Sequence, residues 1–265
     1  MQVIQQAKSL KVLVIGDSCT DKFVYGTCER LSPEAPVPVL KHIKTKEMPG
    51  MAGNVVENVK AFSDIVELLT QESNITKVRY VDSKSNQHIM RFDTEPGPSR
   101  QHDIFFANGE KAMSAIAGMY DVVILSDYNK GFLMDKQIAS LTSRMNQVVY
   151  VDSKKPDISH FKNSIVKLNQ KEFEISGHSI DKSSTLIKTL GSKGASCNGQ
   201  IYPSESVEVF DVSGAGDTFL ASFAIYHTLS KDIRSAIKFA NKCSSIAVQR
   251  KGTSPILRGD FNVST

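Results

Sequence analysis

The chain of 265 residues contains no tryptophan, and its four cysteines, Cys19, Cys28, Cys197 and Cys243, form no C-x-x-C pair. A zinc ribbon and a thioredoxin-type redox centre are thereby excluded, and free thiols fit a reducing, cytoplasmic setting. The six histidines are dispersed, with no H-x-H or H-E-x-x-H spacing, so zinc hydrolase chemistry has no ligand set. No G-x-S-x-G elbow is present for a serine hydrolase. Apolar runs fall short of the roughly 18 residues that a membrane span needs. The first residues, MQVIQQAKSLKVLVIGD, lead straight into a strand pattern without a separate apolar stretch or cleavage site, which argues against a secretory signal. Net charge is only +4. The basic residues are scattered rather than gathered in a stripe with aromatics, so nucleic acid is not an expected partner.

What the sequence does have is a series of short β-branched runs. Lys11–Asp17, Asp121–Asp127, Val148–Asp152, Ile165–Leu168 and Thr185–Leu190 are nearly continuous apolar segments, the pattern of strands buried on both faces of a parallel sheet. Three of them end in aspartate (Asp17, Asp127, Asp152), at the strand edge where open α/β sheets bind ligands. Helical periodicity separates them at Gly53–Phe62, Lys111–Tyr120, Lys136–Asn146, Thr218–Leu229 and Ile233–Gln249. Alternation of this kind predicts an α/β layer architecture in one domain, 1–265. Two segments differ. Residues 18–45 are rich in Pro, Val and charge, and 77–94 alternate polar with apolar residues; together they predict a small β lid beside the main sheet.

The segment Asp211-Val-Ser-Gly-Ala-Gly-Asp217 opens an apolar helix. Gly214, Ala215 and Gly216 are small enough for an anion to reach backbone N–H groups at a helix amino end, where the dipole favours negative charge. Asp217 falls in the first turn, where the same dipole keeps it ionised near neutral pH. A carboxylate beside an anion hole is what phosphoryl transfer requires: a base for the attacking hydroxyl and donors for the group in flight. The plain alternative is a glycine turn that only starts a helix. No G-K-[ST] follows, so this is not a Walker A loop. Phe219 occupies the third glycine position of a dinucleotide fingerprint.

With these residues the sequence resembles the ribokinase-like, PfkB-type carbohydrate kinases. Further pieces occur in the family's order: Gly50-Met-Ala-Gly53-Asn54, Asn169-Gln-Lys-Glu172, Gly191-Ser-Lys-Gly194, and Asn241 in a late helix. The resemblance implies a three-layer fold with a mostly parallel sheet and a β lid. It makes Asp217 the catalytic base. It places Asn169, Glu172, Ser192, Lys193, Gly194 and Asn241 at ATP, with Glu172 meeting Mg²⁺ through water, and it admits a monovalent cation.

The strings GDSCTDKFVYGTCERLSPEAPVPVLK, VRYVDSKSNQHIMRFD, ILSDYNKG and VDSKK are similar to the kinase part of bacterial heptose-7-phosphate kinases. That implies transfer to O1 of D-glycero-β-D-manno-heptose 7-phosphate on the route to ADP-heptose. Asp17, Asp21, Gly50, Gly53 and Asn54 would meet the sugar, with Asp17 equally readable as a turn residue. Arg91, Lys130 and Lys154 would meet the distal phosphate. Lids of such kinases pair into a clasp, so a homodimer is expected. Other sugar or nucleoside kinases, and a non-catalytic sugar-phosphate-binding protein, are the competing readings. The chain departs from the family where 63–77 and the residues after Phe173 are short of a full strand–helix unit and a full helix, and no adenylyltransferase part is present. Met51 stands at a usual glycine or alanine position.

Overall fold

A computed structural model describes residues 2–97, 118–250 and 252–261. Their elements, in chain order, are α1 (Gln2–Ala7), β1 (Lys11–Gly16), β2 (Ser18–Leu31), β3 (Pro38–Met51), α2 (Ala52–Val59), β4 (Ile65–Leu69), β5 (Ile75–Asp82), β6 (His88–Thr94) and β7 (Val122–Asp127). There follow α3 (Asp135–Arg144), β8 (Val149–Ser153), β9 (Ser164–Asn169), α4 (Gln170–Ser176), β10 (Thr185–Thr189), β11 (Ala195–Cys197), β12 (Gln200–Tyr202), α5 (Ala215–Ser230) and α6 (Ile233–Val248).

The apolar runs pair as their pattern predicts. The main sheet runs β12-β11-β10-β9-β8-β7-β1-β4, parallel from β4 through β10 and antiparallel across β11 and β12. Both faces are covered. One carries Val12, Val14, Ile124 and Tyr150 against α2, α5 and α6. The other carries Leu13, Ile15, Val123 and Val151 against α3. Burying both faces gives three layers and explains why these strands lack polar alternation.

The lid is a second sheet, β3-β2-β5-β6. β2 and β3 are long antiparallel partners, while β5 lies parallel to β2 and antiparallel to β6. β2 alternates in burial, with Cys19, Asp21 and Phe23 inward. The polar–apolar alternation therefore reports a sheet with one covered face.

One expectation changes. The stretch after α2 keeps the strand of the expected unit: β4 pairs in parallel with β1, Val12 beside Val66 and Val14 beside Leu68. Among the described residues the next element is lid strand β5, so only the helix of that unit is lacking. After Phe173, α4 is only seven residues long and ends in the 3₁₀ turn Gly177–Ser179. The helix expected over Lys111–Tyr120 lies outside the described residues for 111–117.

Candidate active site

The carboxyl ends of β1, β7, β8 and β9 converge with the amino ends of α2 and α5 beneath the lid. Gly214 caps α5 at φ 81°, a left-handed conformation that glycine adopts without steric cost. A side chain there would also strike the Asn54 amide, 2.7 Å from the position of a Cβ. The turn thus brings Ala215, Gly216 and Asp217 into helical register at the cavity end of the helix, where the Ala215 N–H donates to the Val212 carbonyl at 3.2 Å.

Asp217 is buried and held by two neutral donors. Asn54 Nδ2 donates to Oδ2 at 2.7 Å, and the Tyr128 hydroxyl donates to Oδ1 at 2.9 Å. Asn54 is fixed in turn by Asn58, which donates to the Asn54 carbonyl at 2.8 Å and accepts from Thr218 Oγ1 at 2.8 Å. Helices α2 and α5 are thereby locked at the site. The helix dipole does not decide the acidity of Asp217: burial pushes its carboxyl up to about 6, the Asp152 charge adds to this, and the Asn54, Lys167 and Tyr128 contacts oppose it. The expected ionised base holds only above that value.

Asp17 is spent on a loop. Its two oxygens accept the backbone N–H groups of Lys130 and Phe132 at 3.1 and 3.2 Å. It anchors the turn after β7 that carries Tyr128, which corresponds to the turn reading of this residue. Asp21 faces inward from the lid and pairs with Arg79 at 2.5 Å. Its side chain passes so close to Gly50 that a Cβ there would lie 2.2 Å from Oδ2, which is why glycine stands at that position. Gly53 and Asn54 lie in the first turn of α2. Preceding them, Met51 adopts φ 55° and ψ −129°, a region that glycine occupies freely and larger residues rarely do. Its buried side chain packs with Cys19, Ile75 and Tyr128.

The proposed phosphate cations scatter. Arg91 forms a two-pronged contact with Asp93 at 2.7 and 2.6 Å. The Lys130 ammonium pairs with Glu95 at 2.7 Å. Lys154 turns to the other side of the site, 3.3 Å from Glu172 and 4.2 Å over the Tyr128 ring. Sequence reading missed Lys77, whose ammonium lies 5.6 Å from the Tyr128 ring centroid, and Arg79, which stacks on Phe23. Their signal was available: Lys77 and Arg79 are two residues apart in an alternating strand, hence on one face.

On the opposite side, Asn169 and Glu172 form a reciprocal capping box at the start of α4, with contacts of 2.9 and 2.7 Å. The Glu172 carboxylate thus has one oxygen on the Asn169 N–H and the other on Lys154. Among the described residues no group of three His, Cys, Asp or Glu side chains could hold a metal ion. The donor set fits a magnesium ion delivered on a nucleotide and met through water, rather than a protein cage. A cleft of about 110 Å³ is lined by Gly191, Gly194, Ala215, Gly216, Phe219 and Asn241, among others. Ser192 and Lys193 belong to the 3₁₀ turn at its rim. The Asn241 amide donates to the Tyr202 and Pro203 carbonyls at 2.9 and 3.3 Å, so it shapes the cleft wall.

A buried carboxylate in the first turn of a helix, between a lid and a cleft, is the candidate site of this ribokinase-like fold. Comparison with known proteins agrees. Residues 63–258 match the pfkB family of carbohydrate kinases, and the chain belongs to that family. Among curated relatives, the bifunctional protein HldE of Campylobacter curvus is 30% identical over 96% of this chain and 65% of its own length. HldE of Gluconacetobacter diazotrophicus is 32% identical, over 92% of this chain and 61% of its own. The chain therefore spans under two thirds of these relatives. Ribokinase from Thermotoga maritima superposes with a TM-score of 0.70 at 17% identity, over 96% of this chain and 98% of that one. Phosphofructokinase-2 from Escherichia coli gives 0.73 at 14% identity, over 96% and 97%.

Proposed function

We propose that the protein transfers the γ-phosphoryl group of ATP to a hydroxyl of an anionic sugar, the best fit being O1 of D-glycero-β-D-manno-heptose 7-phosphate. The observation that carries this is the meeting of Asp217 with a cationic lid. The Lys77 ammonium of β5 lies 5.6 Å from the ring centroid of Tyr128, whose hydroxyl donates to the carboxylate that would take the hydroxyl proton, and Arg79 of the same strand pairs with Asp21. A sugar phosphate would give the Lys77 ammonium an anionic partner beyond its cross-strand neighbour Asp93, which favours it over a neutral sugar or nucleoside.

In this scheme Asn54 and Tyr128 hold Asp217 so that an oxygen faces the sugar hydroxyl, and Asp21, oriented by Arg79, accepts a hydrogen bond from the sugar. The N–H groups of Gly214, Ala215 and Gly216 receive the phosphoryl oxygens. ATP lies in the cleft bounded by Gly194 and Asn241. Magnesium, arriving on ATP, would meet Glu172 through water and neutralise phosphate charge. The lid excludes water, which would otherwise compete as acceptor. No helix among the described residues is long and apolar enough to cross a membrane, and a cytoplasmic, nucleotide-supplied setting suits the reaction. A second copy of the chain is the proposed partner of the lid, where Met90 and Phe92 are more than half exposed.

The test is a coupled ADP-release screen over heptose, hexose and pentose phosphates and their free sugars, with NMR of the product. Turnover of the heptose 7-phosphate at O1, far above that of the free sugars, supports the reading. Preference for an unphosphorylated acceptor overturns it.

A further inference from the structure

One strand of the main sheet breaks its own pattern. β9 reads Ser-Ile-Val-Lys-Leu-Asn, and Lys167 is the charged residue in an otherwise buried apolar run. The side chain is 6% exposed, and its ammonium meets Asp152 Oδ2 on the adjacent strand β8 at 2.5 Å. Both residues lie on the sheet face that packs under α5, in line with Ile165 and Tyr150 of that core. The ammonium ends immediately below the anion hole. It lies 2.9 Å from the point where a Cβ on Gly216 would be, and Asp152 Oδ2 lies 3.9 Å from the same point.

Electrostatics makes this an odd place for a cation. The amino end of α5 already carries positive partial charge, and removing an ammonium from water is costly without full pairing. The ammonium has three donors, yet among the described residues Asp152 is its hydrogen-bond partner. The second Asp152 oxygen, Oδ1, is buried and unpartnered. Burial lowers the affinity of Lys167 for its proton, but Asp152, Glu172 and Asp217 outweigh this and hold the ammonium charged. A permanent cation with unused donors, set against a helix dipole of the same sign, marks a site built for an additional anionic group.

We propose that Lys167 is a catalytic residue of this kinase: its ammonium hydrogen-bonds the phosphoryl group in flight from beneath the Gly214–Ala215–Gly216 turn, with Asp152 as its positioning residue. In the step, the sugar oxygen forms a bond to the γ-phosphorus. The bond from that phosphorus to the β,γ-bridging oxygen breaks, and its electron pair leaves on ADP. The hydroxyl proton passes to Asp217. Lys167 keeps its protons and neutralises charge that the backbone donors alone would carry. The reading rests on the kinase assignment and is independent of which sugar is used.

The test uses the full chain and nucleotides alone, so failure of the heptose assignment does not affect it. Lys167→Met removes the charge at similar length. Calorimetric titration with AMP-PNP and with ADP, both with MgCl₂, is compared for the variant and the unmodified protein. The expected result is AMP-PNP affinity reduced tenfold or more and ADP affinity unchanged within about twofold. With an accepted sugar, kcat should fall about 10²–10³-fold, as for loss of one oxyanion donor. Equal weakening of both nucleotides, or no change in either, overturns the proposal and leaves the lysine a structural ion pair. If Lys167→Met does not fold, the double variant Lys167→Met, Asp152→Leu replaces both charges by apolar groups, an exchange that buried pairs tolerate. It should then fold and lose the same preference for AMP-PNP over ADP; retention of that preference overturns the proposal.

Discussion

The Tyr128 hydroxyl donates a hydrogen bond to Asp217 Oδ1 across 2.9 Å, joining the turn after β7 to the first turn of α5. The phenol is part-buried and its own proton is held tightly: desolvation, with the Asp217 and Asp152 charges, pushes its pKa well above the usual value. It therefore acts as a fixed donor. Lys77 and Lys154 lie 5.6 and 4.2 Å from its ring centroid, so one aromatic side chain organises the base and two cations.

Removing that donor should be visible in acidity. The Tyr128 contact lowers the Asp217 value, so Tyr128→Phe is expected to move the acid limb of kcat/KM to higher pH and to reduce kcat about tenfold. Thermal melting should change little, because the ring remains. A pH–rate profile that is superimposable on that of the parent would refute the role.

Replacing the base separates chemistry from binding. Asp217→Asn is expected to lower kcat by about 10²–10⁴-fold, while calorimetric ADP affinity stays within a few-fold. Retained turnover would show that another group takes the proton.

The same substitution has a stability consequence with a definite sign. The folded value of Asp217 is about 6 against an ordinary 3.8, so folding favours the neutral acid. That stabilisation is complete below about pH 4 and is lost as pH rises through 6, on the order of 3 kcal/mol in total. The amide introduced by Asp217→Asn cannot ionise. The Tm of the variant relative to the parent should therefore improve from pH 4 to pH 8, measured by scanning calorimetry. A difference that is flat with pH would mean the carboxyl is not buried as described. Activity of the parent should fall below about pH 6 for the same reason.

On the lid, Lys77→Ala is expected to raise KM for a sugar phosphate about tenfold while leaving KM for ATP unchanged. Lys130→Ala should do neither, since its ammonium is paired with Glu95. Steady-state kinetics on both variants distinguishes the two cations; identical behaviour would remove Lys77 from the phosphate-binding role.

Phe92→Asp on the outer lid face should convert a dimer to a monomer by light scattering, with the folded state retained. A parent that is already monomeric at assay concentration would overturn the clasp.

Much of this was legible from residues alone. Apolar runs without alternation determined the parallel core, because strands covered on both faces have no solvent side to mark. Alternation over Lys77–Asp93 determined the lid for the opposite reason. The Gly214–Asp217 string announced the glycine-capped amino end of α5 that the proposed anion hole needs, since only small residues let a phosphate approach a helix end. Tertiary structure decided the rest. It drew Asp17 into bonding a loop and turned Lys154 toward Glu172 rather than the lid. It set the acidity of Asp217 by burial instead of by the dipole, because desolvation depends on what surrounds a group and not on its neighbours in sequence. It also brought Lys167 beneath Gly216, 49 positions later in the chain, a proximity that arises only when strand order stacks β9 under α5.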